Sequence, residues 1–196
     1  MEKYFIHKGL EAGCDEAGRG CLAGPVVAAA VILPKEIDIE LDDSKKLSEK
    51  KRNLLVPKIK EHALSYAIGV VSPEEIDKIN ILNASFLAMH RALDQLQQVP
   101  DRILVDGNRF NKYKTIEHHC IIKGDGKYAS IAAASILAKT YRDELMENYH
   151  KSYPDYDWKK NKGYPTKFHR EAIEQHGSTD LHRKSFTVKT QLKMDI

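Results

Sequence analysis

Hydrophobic positions along the chain come in short blocks divided by polar, Gly-marked or Pro-marked breaks. The longest block, Val26 to Leu33, is alanine-rich and closed by Pro34. Its length and continuity predict a strand buried on both faces. Before it, Leu10 to Gly13 leads into Cys14-Asp15-Glu16, and Gly18, Gly20 and Gly24 follow. That order predicts a strand and a Gly-rich connection. Leu64 to Val71 predicts a third strand, and the three together an antiparallel meander. Ile103-Leu104-Val105 predicts a short buried strand that stops at Asp106-Gly107-Asn108. Thr115 to Lys123 predicts another, stopping at Gly124-Asp125-Gly126.

Helical signals lie between these blocks. Ser48 is placed to cap a helix running towards Ala63, with Pro57 expected to kink or split it. Ser72-Pro73-Glu74-Glu75 is a helix start, with a capping side chain, proline in the first turn and acids at the positive dipole end. A second helical stretch, Ala84 to Leu96, places Phe86, Leu87, His90 and Leu93 near one stripe. Tyr128 to Tyr149 predicts a long alanine-rich helix, and Phe168 to His176 a short one stopped by Gly177. The later strand–helix alternation requires parallel pairing through crossovers. The expected fold class is therefore α/β, with a mixed sheet of three antiparallel strands and then parallel strands, flanked by helices.

Charge adds a division of the chain. The whole is formally +3, but residues 1–150 carry 21 basic and 22 acidic side chains and residues 151–196 carry 10 and 6. A balanced body is followed by a basic tail, which also holds His169, His176 and His182. Lys159, Lys160 and Lys162 form its densest basic cluster, beside the turn-rich aromatic stretch Tyr153 to Trp158. No apolar run reaches the ~20 residues of a membrane span, and the first residues lack signal-peptide order. Cys14, Cys21 and Cys120 fit neither a disulfide scaffold nor a zinc ribbon and read as small buried hydrophobes. The expectation is a cytoplasmic, reduced, monomeric protein. Lys139 and Arg142 read as surface charges, while His169 and His182 fit either surface or phosphate-contact positions.

Four acids fall near the ends of predicted strands: Asp15, Glu16, Asp106 and Asp125. Ligand sites of open α/β sheets lie beyond strand ends, and carboxylates gathered there repel one another unless a cation neutralises them. An all-oxygen set suits Mg²⁺ or Mn²⁺, and a two-metal site would serve phosphoryl transfer or phosphodiester hydrolysis. Asp106-Gly107-Asn108 is also an ordinary turn, and Asp125 could cap the next helix. Adjacent Asp15 and Glu16 face opposite sides of a regular strand, so both reach one metal only if the strand distorts. Gly18-Arg19-Gly20 sets bare backbone and one guanidinium beside these acids. No Walker-type phosphate loop is present in the sequence.

Six ordered segments carry a resemblance: Gly13 to Gly20, Asp43-Ser44-Lys45-Lys46-Leu47, Asn80 to Ala84, Val105 to Asn108, Lys123-Gly124-Asp125 with Ile131 to Lys139, and Lys162-Gly163-Tyr164-Pro165-Thr166. With these, the chain closely resembles bacterial ribonuclease HII, the type 2 ribonuclease H family. The resemblance implies a ribonuclease H-like fold with a C-terminal helical extension. It implies a metal-dependent endonuclease acting on RNA/DNA hybrids and on ribonucleotide-containing duplex DNA, nicking 5′ of the ribonucleotide to leave a 3′-hydroxyl and a 5′-phosphate. It maps the catalytic, metal-binding acids onto Asp15, Glu16, Asp106 and Asp125. It assigns 2′-hydroxyl reading to Gly18, Arg19 and Gly20, phosphate contact to Ser44, Lys45 and Lys46, and junction sensing to Tyr164, which by its residue type alone would read as a packed turn aromatic. It divides the chain into a catalytic domain, 1–150, and a substrate-contacting extension, 151–196. The short stretch before Asp15 favours type HII over HIII. Cys21 departs from the family's usual proline, and Cys14 from its β-branched residue. Two rival classes remain for comparison, a non-catalytic hybrid-binding module and a metal-dependent small-molecule phosphatase.

Overall fold

The computed structural model describes residues 1–37, 39–42, 44 and 46–186. Five strands form one sheet: β1 (Glu11–Ala17), β2 (Val26–Ile32), β3 (Ser65–Val71), β4 (Arg102–Asp106) and β5 (Glu117–Ile121). Their spatial order is β3-β2-β1-β4-β5. β1 pairs antiparallel with β2, and β2 with β3. β4 pairs parallel with both β1 and β5. This is the meander followed by parallel strands that the hydrophobic blocks predict. β5 is shorter than the predicted stretch, Thr115 to Lys123.

Alternation along the strands divides the core in two. Ala12, Cys14, Ile103 and Val105 face one side, under α2 (Pro73–Asp94). Ala17, Val27, Ala29 and Val31 face the other, under α3 (Ala129–Ser152), with Ile59 of α1 (Glu49–His62) completing that layer. Gly13 allows α3 to approach β1 closely, since a Cβ there would sit 2.2 Å from the Ser130 backbone.

Three helix details differ in instructive ways from expectation. Ser48 caps α1 as predicted, but Pro57 does not split it. Residues 49–62 stay one helix, with Pro57 on its exposed side and Ile59 in the core. α2 is broken at Asn80, whose φ is 65°, and the Asn80 Oδ1 accepts from the Asn83 N–H to restart the helix. The two helical stretches read from the sequence are the halves on either side of that break. Of the expected stripe, Phe86 and Leu93 are buried while Leu87 and His90 are half-buried, and Ala84, Ala88, Met89 and Ala92 complete the buried face. Gly69 of β3 lies under Ala88, so small residues pack best there.

The tail from Tyr153 is ordered around Trp158. A 3₁₀ turn (Pro154–Tyr156), α4 (Trp158–Asn161) and α5 (Lys167–His176) enclose Trp158, Tyr156, Met146, Ala23 and Ala172. Gly177 ends α5 as predicted. His169 and His182 are neither surface nor phosphate-contact residues, because both are buried. Trp158 Nε1–H donates to His169 Nε2 at 2.9 Å, and His182 Nε2 lies 3.2 Å from that same atom. His169 Nδ1 lies 2.9 Å from the Tyr164 carbonyl and therefore carries its proton. The Thr179 N–H donates to His182 Nδ1 at 2.9 Å. Arg142 is likewise buried, contrary to its reading as a surface charge. Among the described residues, no helix is long and apolar enough to cross a membrane.

Candidate active site

Strand register brings the acids together. β1 and β4 pair in parallel up to Cys14 and Val105, so Asp15 and Asp106 follow side by side. Cys14 and Val105 point to the α2 side. Alternation then turns both aspartates to the α3 side. Asp125 arrives from the 3₁₀ turn Gly124–Gly126, directly before α3. One carboxylate oxygen from each of Asp15, Asp106 and Asp125 lies within 4.8 Å of the others. Asp106 Oδ1 accepts the Gly124 N–H at 2.7 Å, which ties the Asp125 turn to the end of β4. Asp125 does not cap α3, because the N-cap position is Tyr128.

Burial shapes the electrostatics of this triad. Asp15 and Asp125 are 4% and 2% exposed. Burial, and then the negative charges of Glu16 and Asp106, push the Asp15 carboxyl well above its usual range. Ser135 of α3 hydrogen-bonds the Asp15 carboxylate and opposes that shift, as does the Glu16 N–H at 2.7 Å. Three crowded oxygens, two of them on buried aspartates, with no imidazole or thiolate among them fit a hard divalent cation such as Mg²⁺ or Mn²⁺. β1 remains regular through Ala17. Glu16 accordingly lies outside the close triad, and its Oε1 meets Arg19 Nη1 at 3.2 Å.

Beside the triad, the loop after β1 is held from below. Gly18 has φ +96°, and a Cβ there would fall 2.0 Å from Arg142 Nε. Gly20 differs, since a Cβ would meet nothing within 4 Å. Arg19 and Gly20 are exposed. Arg142 donates to the carbonyls of Ala23, Pro25 and Lys162 at 2.8–3.0 Å. It thereby joins the Gly-rich loop to the Lys162–Tyr164 loop. The Leu22 N–H also donates to the Gly163 carbonyl, at 2.8 Å. Tyr164 thus stands at the rim of the Gly-rich loop, 41% exposed, its hydroxyl hydrogen-bonded to buried Cys21. Burial pushes that hydroxyl above its ordinary pKa. Cys14 sits in the core under α2, its thiol pushed up by burial.

The third predicted segment is placed differently. The Ser44 hydroxyl is buried against Ser135 Oγ at 2.7 Å, and the Ser44 carbonyl accepts from Arg52. Lys46 is exposed and 3.6 Å from Asp42. Lys45 lies outside the described residues. Sequence reasoning passed over Ser135 and Arg183 as site residues and read Arg142 as a surface charge. Ser135 and Arg142 were legible in principle, because Ile131, Ser135, Ala138, Arg142 and Met146 recur at three- and four-residue spacing on one buried face. Arg183 follows an irregular segment and carries no local signal.

The family model described as Ribonuclease HII matches residues 12–189. A ribonuclease HII of Bacteroides thetaiotaomicron is 66% identical, over 94% of this chain and 93% of that protein. One of Christiangramia forsetii is 62% identical over the full length of both. The crystal structure of ribonuclease H2 from Pyrococcus horikoshii OT3 superposes with a TM-score of 0.75 at 28% identity, covering 90% of this chain and 93% of that one.

Proposed function

The chain belongs to the ribonuclease HII family, and from that premise we propose that it nicks duplex DNA on the 5′ side of an embedded ribonucleotide, besides cutting the RNA strand of RNA/DNA hybrids as a ribonuclease H. The products of this reading are a 3′-hydroxyl and a 5′-phosphate. One observation carries it: the Asp15, Asp106 and Asp125 carboxylates converge within 4.8 Å, beside a Gly-rich loop whose Gly20 leaves open space.

Asp15, Asp106 and Asp125 would hold the metal, Mg²⁺ or Mn²⁺, with Glu16 as the outer carboxylate of a two-ion arrangement. Bound divalent ions supply an activated water and neutralise charge on the leaving oxygen. The chain's own residues do the rest. Asp106 orients the Asp125 turn through the Gly124 N–H. Ser135 and the Glu16 N–H hold the Asp15 carboxylate in place. Around the buried turn at Gly18, the exposed Arg19 and Gly20 offer backbone where a 2′-hydroxyl can approach, which is the group that distinguishes RNA from DNA. Tyr164 stacks on the sugar that follows the ribonucleotide, and Lys46, Lys45 and the basic extension follow the phosphates. In this division, residues 1–150 perform the chemistry and 151–196 hold the duplex. The close triad is complete within one chain, so its assembly needs no second subunit.

The test is a duplex carrying one ribonucleotide, incubated with Mg²⁺ or Mn²⁺ and separately with EDTA. Metal-dependent nicking 5′ of the ribonucleotide is expected. Binding without nicking would favour a non-catalytic module, and neither activity a small-molecule phosphatase.

A further inference from the structure

Arg183 follows the last helix, yet its side chain is only 2% exposed and lies under the Gly-rich loop. Its Nε donates to the Gly24 carbonyl at 3.0 Å, Nη1 to Arg19 at 3.0 Å and Nη2 to Gly18 at 2.7 Å. Its own N–H donates to the Leu22 carbonyl, and the Gly24 N–H donates back to Leu181, both at 2.8 Å. Burial lowers the guanidinium to about 10, which leaves it charged at neutral pH. A planar fork spans three carbonyls in a way that a lysine ammonium cannot.

The consequence lies on the opposite side of the loop. Among the described residues every peptide is trans, so each carbonyl points away from the next N–H. Drawing the Gly18 and Arg19 carbonyls inward turns the Arg19 and Gly20 N–H groups outward. Residues 19 and 20 are exposed, and Gly20 has room on its Cβ side. Two adjacent outward donors over open space form a seat for a hydroxyl.

We propose that Arg183 is a positioning residue for sugar discrimination: it fixes the Gly18–Gly20 peptides so that their N–H groups meet the ribose 2′-hydroxyl. This rests on the reading of that loop given above. Arg183 touches no substrate and acts only through the three carbonyls.

The experiment measures KM and kcat for nicking a single-ribonucleotide duplex, and Ki for an all-DNA duplex as competitor, in wild type, Arg183→Lys and Gly20→Ala. For Arg183→Lys, KM should rise about tenfold, the effect of disordering a pair of hydrogen bonds. Its Ki for DNA should stay within about twofold, because phosphate contacts are untouched. Equal weakening towards both duplexes, or an unchanged KM, overturns the proposal. Gly20→Ala tests the underlying reading separately, since its methyl meets no protein atom. If Gly20→Ala retains discrimination, the loop does not read the sugar. If it loses discrimination while Arg183→Lys keeps it, only the role of Arg183 fails. Should Arg183→Lys not fold, Asp77→Ala replaces it. Half-buried Asp77 accepts the Lys184 and Ser185 N–H groups at 2.9 Å and so anchors the segment carrying Arg183. That variant should raise KM about threefold with Ki unchanged, as for a loosened hydrogen-bonded anchor, and no change in KM would overturn the proposal.

Discussion

The triad and the C-terminal extension hold their functional groups by different physics. Asp15 and Asp106 are placed by strand register, a regular backbone ladder that specifies which face each side chain takes. The Gly-rich and Lys162–Tyr164 loops are placed by side chains, with Arg142 and Arg183 donating to backbone carbonyls. In the first region, neutralising an acid leaves its supporting backbone intact. In the second, changing a buried cation releases the loops it braces. The triad concentrates negative charge that a cation must relieve, while the extension buries positive and neutral nitrogen among oxygen acceptors. Loss of chemistry and loss of recognition should therefore be separable by mutation.

The sharpest break of this comparison is Asp106→Asn. The amide keeps an acceptor for the Gly124 N–H, so the fold and duplex affinity should persist. Single-turnover nicking should fall by roughly a thousandfold or more, the scale of removing a ligand from metal-assisted catalysis. Full activity would remove Asp106 from the site. Glu16→Gln, outside the close triad, should lose less, and an equal loss would show that Glu16 acts as a full member of the triad.

A smaller effect distinguishes the extension by pH. Burial, and then the neighbouring His169, hold His182 down to about 4 from 6.5. Burial also lowers His169. As pH falls through 6.5 the unfolded chain takes up protons that the folded one refuses. The contribution of these histidines is therefore full above that value, declines between about 6.5 and 4, and is constant below. The loss attributable to His182 is about 3 kcal/mol at most. Denaturant midpoints at a series of pH values should follow this course, and a shallower dependence is expected in His182→Gln. Fluorescence of Trp158, the single tryptophan and a neighbour of both histidines, reports the same transition. A pH-independent midpoint across this window would contradict the neutral network.

The mildest effect concerns Tyr164→Ala. The ring is partly exposed and its hydroxyl is hydrogen-bonded to Cys21, so stability should change little. Cleavage at RNA–DNA junctions should fall about tenfold, the scale of losing one base- or sugar-stacking contact, and uniform RNA/DNA hybrids should lose less. Equal losses on both substrates would assign Tyr164 to general binding.

Much of this arrangement was legible in the chain. Continuous apolar blocks specified β2 and β4, because buried strands need apolar residues on both faces. The acids near strand ends were visible by position, and the strand period itself separated Asp15 from Glu16. Caps at Ser48 and Ser72 and the stop at Gly177 are local chemistry and stood where expected.

Tertiary structure alone decided the rest. The convergence of Asp125 with Asp15 and Asp106 depends on how a turn lies across two distant strands. The burial of His169 and His182 depends on Trp158 and Thr179, which lie outside any common period. Arg183 reaches carbonyls more than 150 positions away in the chain. A charged residue in an irregular segment has the same sequence appearance at the surface and in the core. Only packing chooses between them, because it determines whether oxygen acceptors or water meet its donors.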